Sequence, residues 1–134
     1  MLILSIAELR AQVGSPPVTP KPVTIVGQLK SRIEFGPPGF GETRRTDSKV
    51  QIYYVELART LSPEQLHLPP GGGEKVQNSY SNVQLWCGDS FEACENFLPS
   101  HVGQTILVSG ITAYALEAND FYPVTITVGA IDAK

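Results

Sequence analysis

Hydrophobic and polar residues alternate in five separate segments of the chain. In the last of them, Val124, Ile126 and Val128 are separated by threonines. Alternation with a period of two is typical of a β-strand that buries one face and exposes the other. The pattern therefore predicts five strands, over residues 23–33, 50–57, 82–87, 105–113 and 122–131.

A short helix is predicted between the third and fourth strands. Asp89 and Glu92 are spaced as in a capping box, in which both side chains bond the free amides of the first helical turn. Pro99 is expected to help end this helix. Its buried stripe is predicted to consist of Phe91, Cys94, Phe97 and Leu98.

A second short helix is predicted near the N-terminus. Ser5 and Glu8 form another capping-box pattern, and the apolar spacing continues to about Val13 before Gly14. Residues 15–20 contain three prolines and read as an extended linker. We therefore divide the chain into an N-terminal helix and Pro-rich linker, residues 1–20, and one domain, residues 21–134.

The order of elements is three strands, a helix and two strands, which is the order of the OB-fold, a five-stranded Greek-key barrel. A β-sandwich is the alternative. Gly27 and Gly110 lie inside strands, which favours the bent strands of a barrel. The predicted fold class is all-β and OB-like, and its core should contain Ile25, Leu29, Ile52, Leu85, Phe91, Phe97, Ile106, Val108, Ile126 and Val128.

Composition and charge narrow the classes of protein. At 134 residues, with 42% hydrophobic and 17% charged residues, the chain suits one globular domain. No apolar run approaches the roughly 18 residues of a membrane span. The net charge of −3 disfavours non-specific nucleic-acid binding, although residues 21–49 hold six basic and three acidic side chains. One end of the fold should be electropositive.

The segment between the first two strands is the most informative part of the chain. Residues 36–42 contain three glycines, two prolines, an aromatic ring and a carboxylate. A plain hairpin needs only a two-residue turn, so a longer loop of fixed shape indicates a recognition surface. The residues predicted to bind a ligand there and on the adjacent strands are Lys30, Arg32, Phe35, Phe40, Glu42, Arg44, Arg45 and one of Tyr53 and Tyr54, of which we select Tyr53.

Two kinds of ligand are compatible with this set. Aromatic rings can stack on bases while cations follow phosphates, as in OB-folds that bind single-stranded nucleic acid. A protein or envelope ligand is the other choice. The segment between the last two strands, residues 116–122, carries two acids that would repel a phosphate backbone. The sequence therefore favours a protein or envelope ligand, with single-stranded nucleic acid as the alternative.

The sequence lacks a catalytic signature. Neither His67 nor His101 lies near a recognisable nucleophile motif, and helix capping explains Asp89 and Glu92. The glycines of residues 71–73 lack the lysine and hydroxyl of a phosphate-binding loop. We predict a non-catalytic protein without catalytic residues, metal or cofactor.

The two cysteines, Cys87 and Cys94, are too few for a zinc site. Two half-buried reduced thiols are the preferred prediction, and a disulfide is the alternative if the protein is exported. The first residues lack the basic region of a signal peptide. The expected location is therefore cytoplasmic as the sequence stands, and periplasmic or secreted if an export signal was removed.

The chain resembles a poorly characterised family of small bacterial proteins. Its members show a glycine-containing strand, a G-P-P-x-[FY]-[GE] loop, an Asp in a charged stretch and an aromatic-rich strand. Here these correspond to residues 27–29, 36–42, Asp47 and residues 52–57, and a Gly-x-x-Val-x-Val-x-Gly pattern is similar to residues 103–110. The resemblance covers about residues 22–131. It implies an OB-like barrel and an envelope location, and it implies no reaction.

Overall fold

A computed structural model describes residues 19–71, 73, 76–88, 91–116 and 120–134. The predicted N-terminal helix and most of the linker, and the capping residue Asp89, lie outside the described residues. Within them, the five predicted strands and the helix after the third strand are confirmed. The elements are β1 (Val23–Phe35), β2 (Lys49–Leu61), β3 (Tyr80–Trp86), α1 (Glu92–His101), β4 (Thr105–Tyr114) and β5 (Val124–Ala133).

The strands form one closed barrel in the order β1-β2-β3-β5-β4. All neighbouring pairs are antiparallel except β3 and β5, which run parallel. Helix α1 lies in the connection between β3 and β4. This arrangement confirms the predicted OB-like barrel and excludes the sandwich.

The barrel closes where β1 pairs with two strands at once. Gly27 lies opposite Leu57 of β2 and opposite Ile106 of β4. A Cβ atom on Gly27 would overlap the carbonyl oxygen of Glu56 and lie 2.6 Å from a Val55 methyl group. Any side chain at this position would therefore push the strands apart, which explains a glycine in mid-strand.

Most of the predicted core residues are buried, but Phe97 of α1 and Phe91 directly before it are only half-buried. Both rings pack against the core without being enclosed in it, so their predicted place in the core is confirmed only in part. Cys94 and Leu98 hold the buried side of α1 instead. The Phe97 ring stacks on His101, with ring centroids 3.6 Å apart. The eight confirmed core residues are Ile25, Leu29, Ile52, Leu85, Ile106, Val108, Ile126 and Val128.

Two further differences concern the end of the helix and the connection after β2. The helix continues through Pro99 to His101, where the His101 ring nitrogen Nδ1 lies 2.7 Å from the Phe97 carbonyl oxygen. Part of the connection after β2, predicted to be an exposed excursion, enters the core, because Leu66 is fully buried and its carbonyl accepts a hydrogen bond from Thr112. Among the described residues, no helix is long and apolar enough to cross a membrane.

Cys87 and Cys94 form a disulfide, so the prediction of two reduced thiols is wrong. Cys87 follows directly after β3, and Cys94 lies in the first turn of α1. Their Cα atoms lie 5.6 Å apart, within the range that a disulfide needs. The earlier preference depended on the absence of an export signal, which carries no information about this distance.

Leu98→Ala should destabilise the protein more than Phe97→Ala. Leu98 is 4% exposed, and its truncation leaves a cavity that should lower the free energy of unfolding by about 2–5 kcal/mol. Half-buried Phe97 should cost less than about 2 kcal/mol. Denaturant melts monitored by circular dichroism measure both values. A larger loss for Phe97→Ala would show that the helix is packed differently.

The disulfide should be detectable in the unreduced protein, whose mass should be about 2 Da below that of the fully reduced chain. Reduction should lower the free energy of unfolding by about 2–3 kcal/mol, because the bond closes a short loop. The Cys87→Ala/Cys94→Ala double variant is the control and should not respond to reductant. Two free thiols in the native, unreduced protein would contradict the structure.

Candidate functional site

The connection between β1 and β2, residues 36–48, is organised around one carboxylate, that of Asp47. One Asp47 oxygen accepts hydrogen bonds from the Gly39 amide (2.6 Å) and the Thr43 hydroxyl (2.7 Å). The other accepts from the amides of Gly41 (2.7 Å) and Thr43 (3.3 Å). Asp47 is 8% exposed, so these contacts satisfy a largely buried group. We call residues 36–48 the recognition loop.

The sequence of the recognition loop provides the backbone that this carboxylate needs. Gly39 lies against Thr43 and Asp47, where a Cβ atom would overlap the Thr43 hydroxyl. Gly41 has a φ of 103° and Phe40 a φ of 49°, so both adopt left-handed conformations. The amides of residues 39, 41 and 43 can then point inward at one anion, as backbone amides do in other anion sites. The structure thus uses Asp47 as a built-in anion.

Hydrogen bonding keeps Asp47 ionised. Desolvation acts to raise the pKa of its carboxyl group, but hydrogen bonds from the Thr43 hydroxyl and from the amides of Gly41, Gly39 and Thr43 outweigh it and hold the pKa below its ordinary value. A lowered pKa in the folded state means that ionised Asp47 stabilises the fold at neutral pH. This stabilisation is lost as the pH falls through the folded-state pKa.

The loop presents four side chains to solvent on this fixed backbone. Phe40 is 48% exposed, and Glu42, Arg44 and Arg45 are exposed beside it. The Arg44 guanidinium lies 5.2 Å from the centre of the Phe35 ring at the end of β1. Residues 41–46 surround a shallow concavity. Five of the predicted site residues therefore come together at this end of the molecule.

Two other predicted residues, Lys30 and Arg32, lie on the outer face of β1 and are paired with acids. Lys30 bonds Glu56 of β2 at 2.8 Å, and Arg32 Nε bonds Glu34 at 2.6 Å. The Arg32 guanidinium also lies 4.7 Å from the centre of the Tyr122 ring. Their charges are therefore already partly neutralised within the molecule.

The two tyrosines of β2 lie on opposite faces of the strand. Tyr53 packs against the core, whereas Tyr54 pairs with Lys30 and shares its outer face. The Tyr54 ring lies 4.6 Å from the Tyr122 ring. Burial and a hydrogen bond with Tyr54 raise the pKa of Tyr122 to about 12. The outward aromatic residues are thus Tyr54 and Tyr122, and Tyr122 was not among the predicted site residues.

The connection between β4 and β5 is fastened across this outer face. The buried Gln84 side chain of β3 accepts hydrogen bonds from the amides of Phe121 (2.7 Å) and Tyr122 (3.3 Å). The Trp86 indole donates to Asp120 at 3.1 Å. Gln84 lies between Val83 and Leu85, where alternation predicts only an exposed polar side chain, so the sequence held no signal for this attachment. The aromatic residues here contact one another rather than standing open.

The described residues offer little for metal chemistry, since no group of three His, Cys, Asp or Glu side chains among them is placed to hold an ion. His67 contacts the Pro22 carbonyl oxygen at 2.9 Å, and His101 stacks on Phe97. Both histidines therefore have structural contacts.

Comparison with known proteins adds no relative. No family model matches the chain, and neither a curated protein nor a solved structure matches it. The resemblance described from the loop residues therefore stays a prediction.

Asp47→Asn should loosen the recognition loop, because an amide brings an N–H group to a place where four donors already converge. We expect hydrogen exchange of the Gly39 and Gly41 amides to accelerate at least about tenfold. In the unaltered protein, the NMR shifts of the same amides should titrate at a pH below the ordinary range of an aspartate, following the lowered Asp47 pKa. Asp132→Asn, at an exposed carboxylate of β5, is the matched control. Unchanged exchange in Asp47→Asn would contradict this account.

Proposed function

We propose that the protein is a non-catalytic binding module that uses the recognition loop and the adjoining end of β1 to bind a protein or envelope ligand. The observation that carries the proposal is the Asp47-centred hydrogen-bond set, which holds an exposed aromatic ring in a fixed position. The ligand contacts are assigned to Phe40, Glu42, Arg44 and Arg45.

A loop with a fixed shape is well suited to binding. Ordering a flexible loop on association costs free energy, and a loop that is ordered beforehand avoids that cost. Thirteen residues without regular secondary structure would ordinarily carry a large cost of this kind. Asp47 removes it by bonding Gly39, Gly41 and Thr43 in the free protein.

The chemistry of the exposed side chains favours a protein partner. Aromatic residues and arginine dominate the binding energy of protein interfaces. Phe40 offers an apolar anchor, and Glu42 beside Arg44 and Arg45 offers both signs of charge within a few residues. Mixed charges select a surface of complementary pattern rather than a uniform polyanion.

The nucleic-acid alternative has less support. Single-strand sites combine open aromatic surfaces with cations that follow the phosphates. Here Tyr122 lies between Arg32 and Tyr54, while Lys30 and Arg32 pair with acids. Of the four basic residues predicted for the site, Arg44 and Arg45 would then be left for a phosphate backbone, on a chain of net charge −3.

The disulfide bears on the compartment. Disulfides persist mainly in oxidising compartments, such as the periplasm and the cell exterior. The Cys87–Cys94 bond therefore supports the periplasmic or secreted location over the cytoplasmic one, in agreement with an envelope ligand. Secretion or envelope fractionation of the tagged native protein tests this part of the proposal.

A photo-crosslinking amino acid at Phe40 should join the protein to its ligand in cells of the source organism. In the matched pull-down, Phe40→Ala and Glu42→Ala should each reduce recovery of that ligand at least about tenfold, as truncation of a central interface residue does. Recovery should change little between about 0.05 and 0.5 M salt, because short-range contacts are weakly screened.

Val102→Ala is the matched control, since Val102 is 44% exposed and lies in the turn after α1. In the pull-down, Val102→Ala should recover as much ligand as the wild-type protein. In the crosslinking experiment, the photo-crosslinking amino acid placed at Val102 should give only background product. The proposal fails if crosslinking at Phe40 gives no product above the Val102 position. Single-strand affinity that falls steeply with salt and with Arg44→Ala/Arg45→Ala would establish the nucleic-acid alternative instead.

A further inference from the structure

The second half of β1 has an open edge. The ladder between β1 and β4 ends at Gln28 and Thr105, and the turn after α1 adds two last bonds, from the Leu29 amide to Gln104 (2.9 Å) and from the Gly103 amide to Leu29 (2.7 Å). On its other side, β1 continues to pair with β2 as far as Phe35. Beyond Leu29, β1 therefore has a described neighbour on one side only.

Strand geometry identifies the groups at this edge. Peptide groups of alternate residues point to the same side of a strand, and those of Leu29 point toward β4. The backbone groups of Ser31, Ile33 and Phe35 therefore point into the open edge. Within the described part of the chain, these groups have no hydrogen-bond partner. Such a row of donors and acceptors is a template for another strand.

The edge lacks two of the features that usually prevent strand addition, a β-bulge and a proline. The register between β1 and β2 is continuous from Gly27 to Phe35, so no bulge twists the strand away, and this stretch contains no proline. Ile33 is 62% exposed on one face of the strand. Arg32 and Glu34 lie on the opposite face, one residue to either side of it.

We propose that this edge pairs antiparallel with the same edge of a second copy of the chain, about a two-fold axis at Ile33. A two-fold interface brings the same patch of both subunits together. In this register Ile33 lies opposite Ile33 of the second copy, and Ser31 lies opposite its Phe35. The two strands would exchange six backbone hydrogen bonds, and the two barrels would share a continuous sheet.

The charges of the strand support a second copy as the occupant. The two-fold axis at Ile33 places Arg32 opposite Glu34 of the second copy, and Glu34 opposite its Arg32. These are non-hydrogen-bonded pairs, in which opposite side chains approach most closely. Arg32 uses Nε for its own Glu34, and the flat guanidinium group has further donors on its terminal nitrogens. The sequence Arg-Ile-Glu is thus complementary to itself in this register.

The limits of the open edge support the same register. The edge begins after Leu29, where Gln104 occupies the neighbouring position, and it ends at Gly36, where the chain turns to β2 through a bond to Ser48 (2.8 Å). Ile33 is the midpoint of the stretch from Ser31 to Phe35. A shift by one residue would move the backbone donors out of line with their acceptors, and a shift by two would place Arg32 opposite Arg32 or Glu34 opposite Glu34.

A charge exchange tests the proposal directly. Arg32→Glu and Glu34→Arg, each alone, place like charges at both cross-strand pairs and should weaken the dimer about tenfold or more in analytical ultracentrifugation. An equimolar mixture should restore dimerisation, because the Glu-bearing strand then meets the Arg-bearing strand. Lys30→Glu is the control, with the same change of charge on the same face but no charged residue opposite it. It should alter the dimer constant by less than about threefold.

A crosslink tests the register. Ile33→Cys should form an intersubunit disulfide under mild oxidation, since opposed residues of a hydrogen-bonded pair have Cα atoms about 5.5 Å apart. Gln51→Cys lies beside Ile33 on β2 and should not crosslink. The native disulfide should not interfere, because Cys94 is fully buried. Circular dichroism confirms that each variant is folded.

Three results would overturn the proposal. One is a wild-type protein that stays monomeric in ultracentrifugation at concentrations up to about 1 mM. Its dimer dissociation constant would then exceed about 1 mM, which is too weak for a stable complex. Another is a mixture of the two charge variants that dimerises no better than either variant alone. The third is equal crosslinking of Ile33→Cys and Gln51→Cys.

Discussion

The close approach of three strands at Gly27 is the constraint on which the structure depends. At this residue β1 meets β2 and β4 together, with no space for a side chain. Before Gly27, β1 pairs with β4 alone, and at Gly27 and Gln28 it pairs with β2 and β4 together. After Leu29, only β2 accompanies it, so the second half of β1 extends as a hairpin arm with an open edge. The closure thus determines where the recognition loop stands and which edge remains free.

The arm positions the loop, but a separate interaction gives the loop its shape. Asp47 supplies an anion around which the amides of Gly39 and Gly41 converge. In a strand those amides would bond a neighbour, and in a flexible loop they would bond water. Inside the barrel, burial of aliphatic side chains stabilises the fold; in the loop, one satisfied carboxylate does so. The two regions are thus stabilised by different physical means, which allows the loop to vary without disturbing the core.

The sequence predicted the architecture well because periodicity reports burial directly. The alternation in β5 and the mid-strand glycines Gly27 and Gly110 were sufficient for a bent, five-stranded barrel. The predictions failed where the structure depends on contacts between residues that are distant in the chain, or on how residues pack at the end of a helix or strand. Phe97 fitted the apolar spacing of the helix, yet its ring turns toward His101 and stays half-buried. The disulfide depended on how closely the end of β3 approaches the first turn of α1, which spacing alone does not specify.

The candidate site was predictable only where its residues are neighbours in the chain. The loop residues are consecutive, so Phe40, Glu42, Arg44 and Arg45 were found together. Tyr122 joins Arg32 only through the attachment of Gln84 to a connection almost forty residues away.

The central claim is that the recognition loop is ordered before any ligand binds, and ¹⁵N relaxation of the free protein tests it most directly. Order parameters near 0.85 for the amides of residues 39–47, equal to those of the strands, are the predicted result, and values below about 0.6 would contradict it.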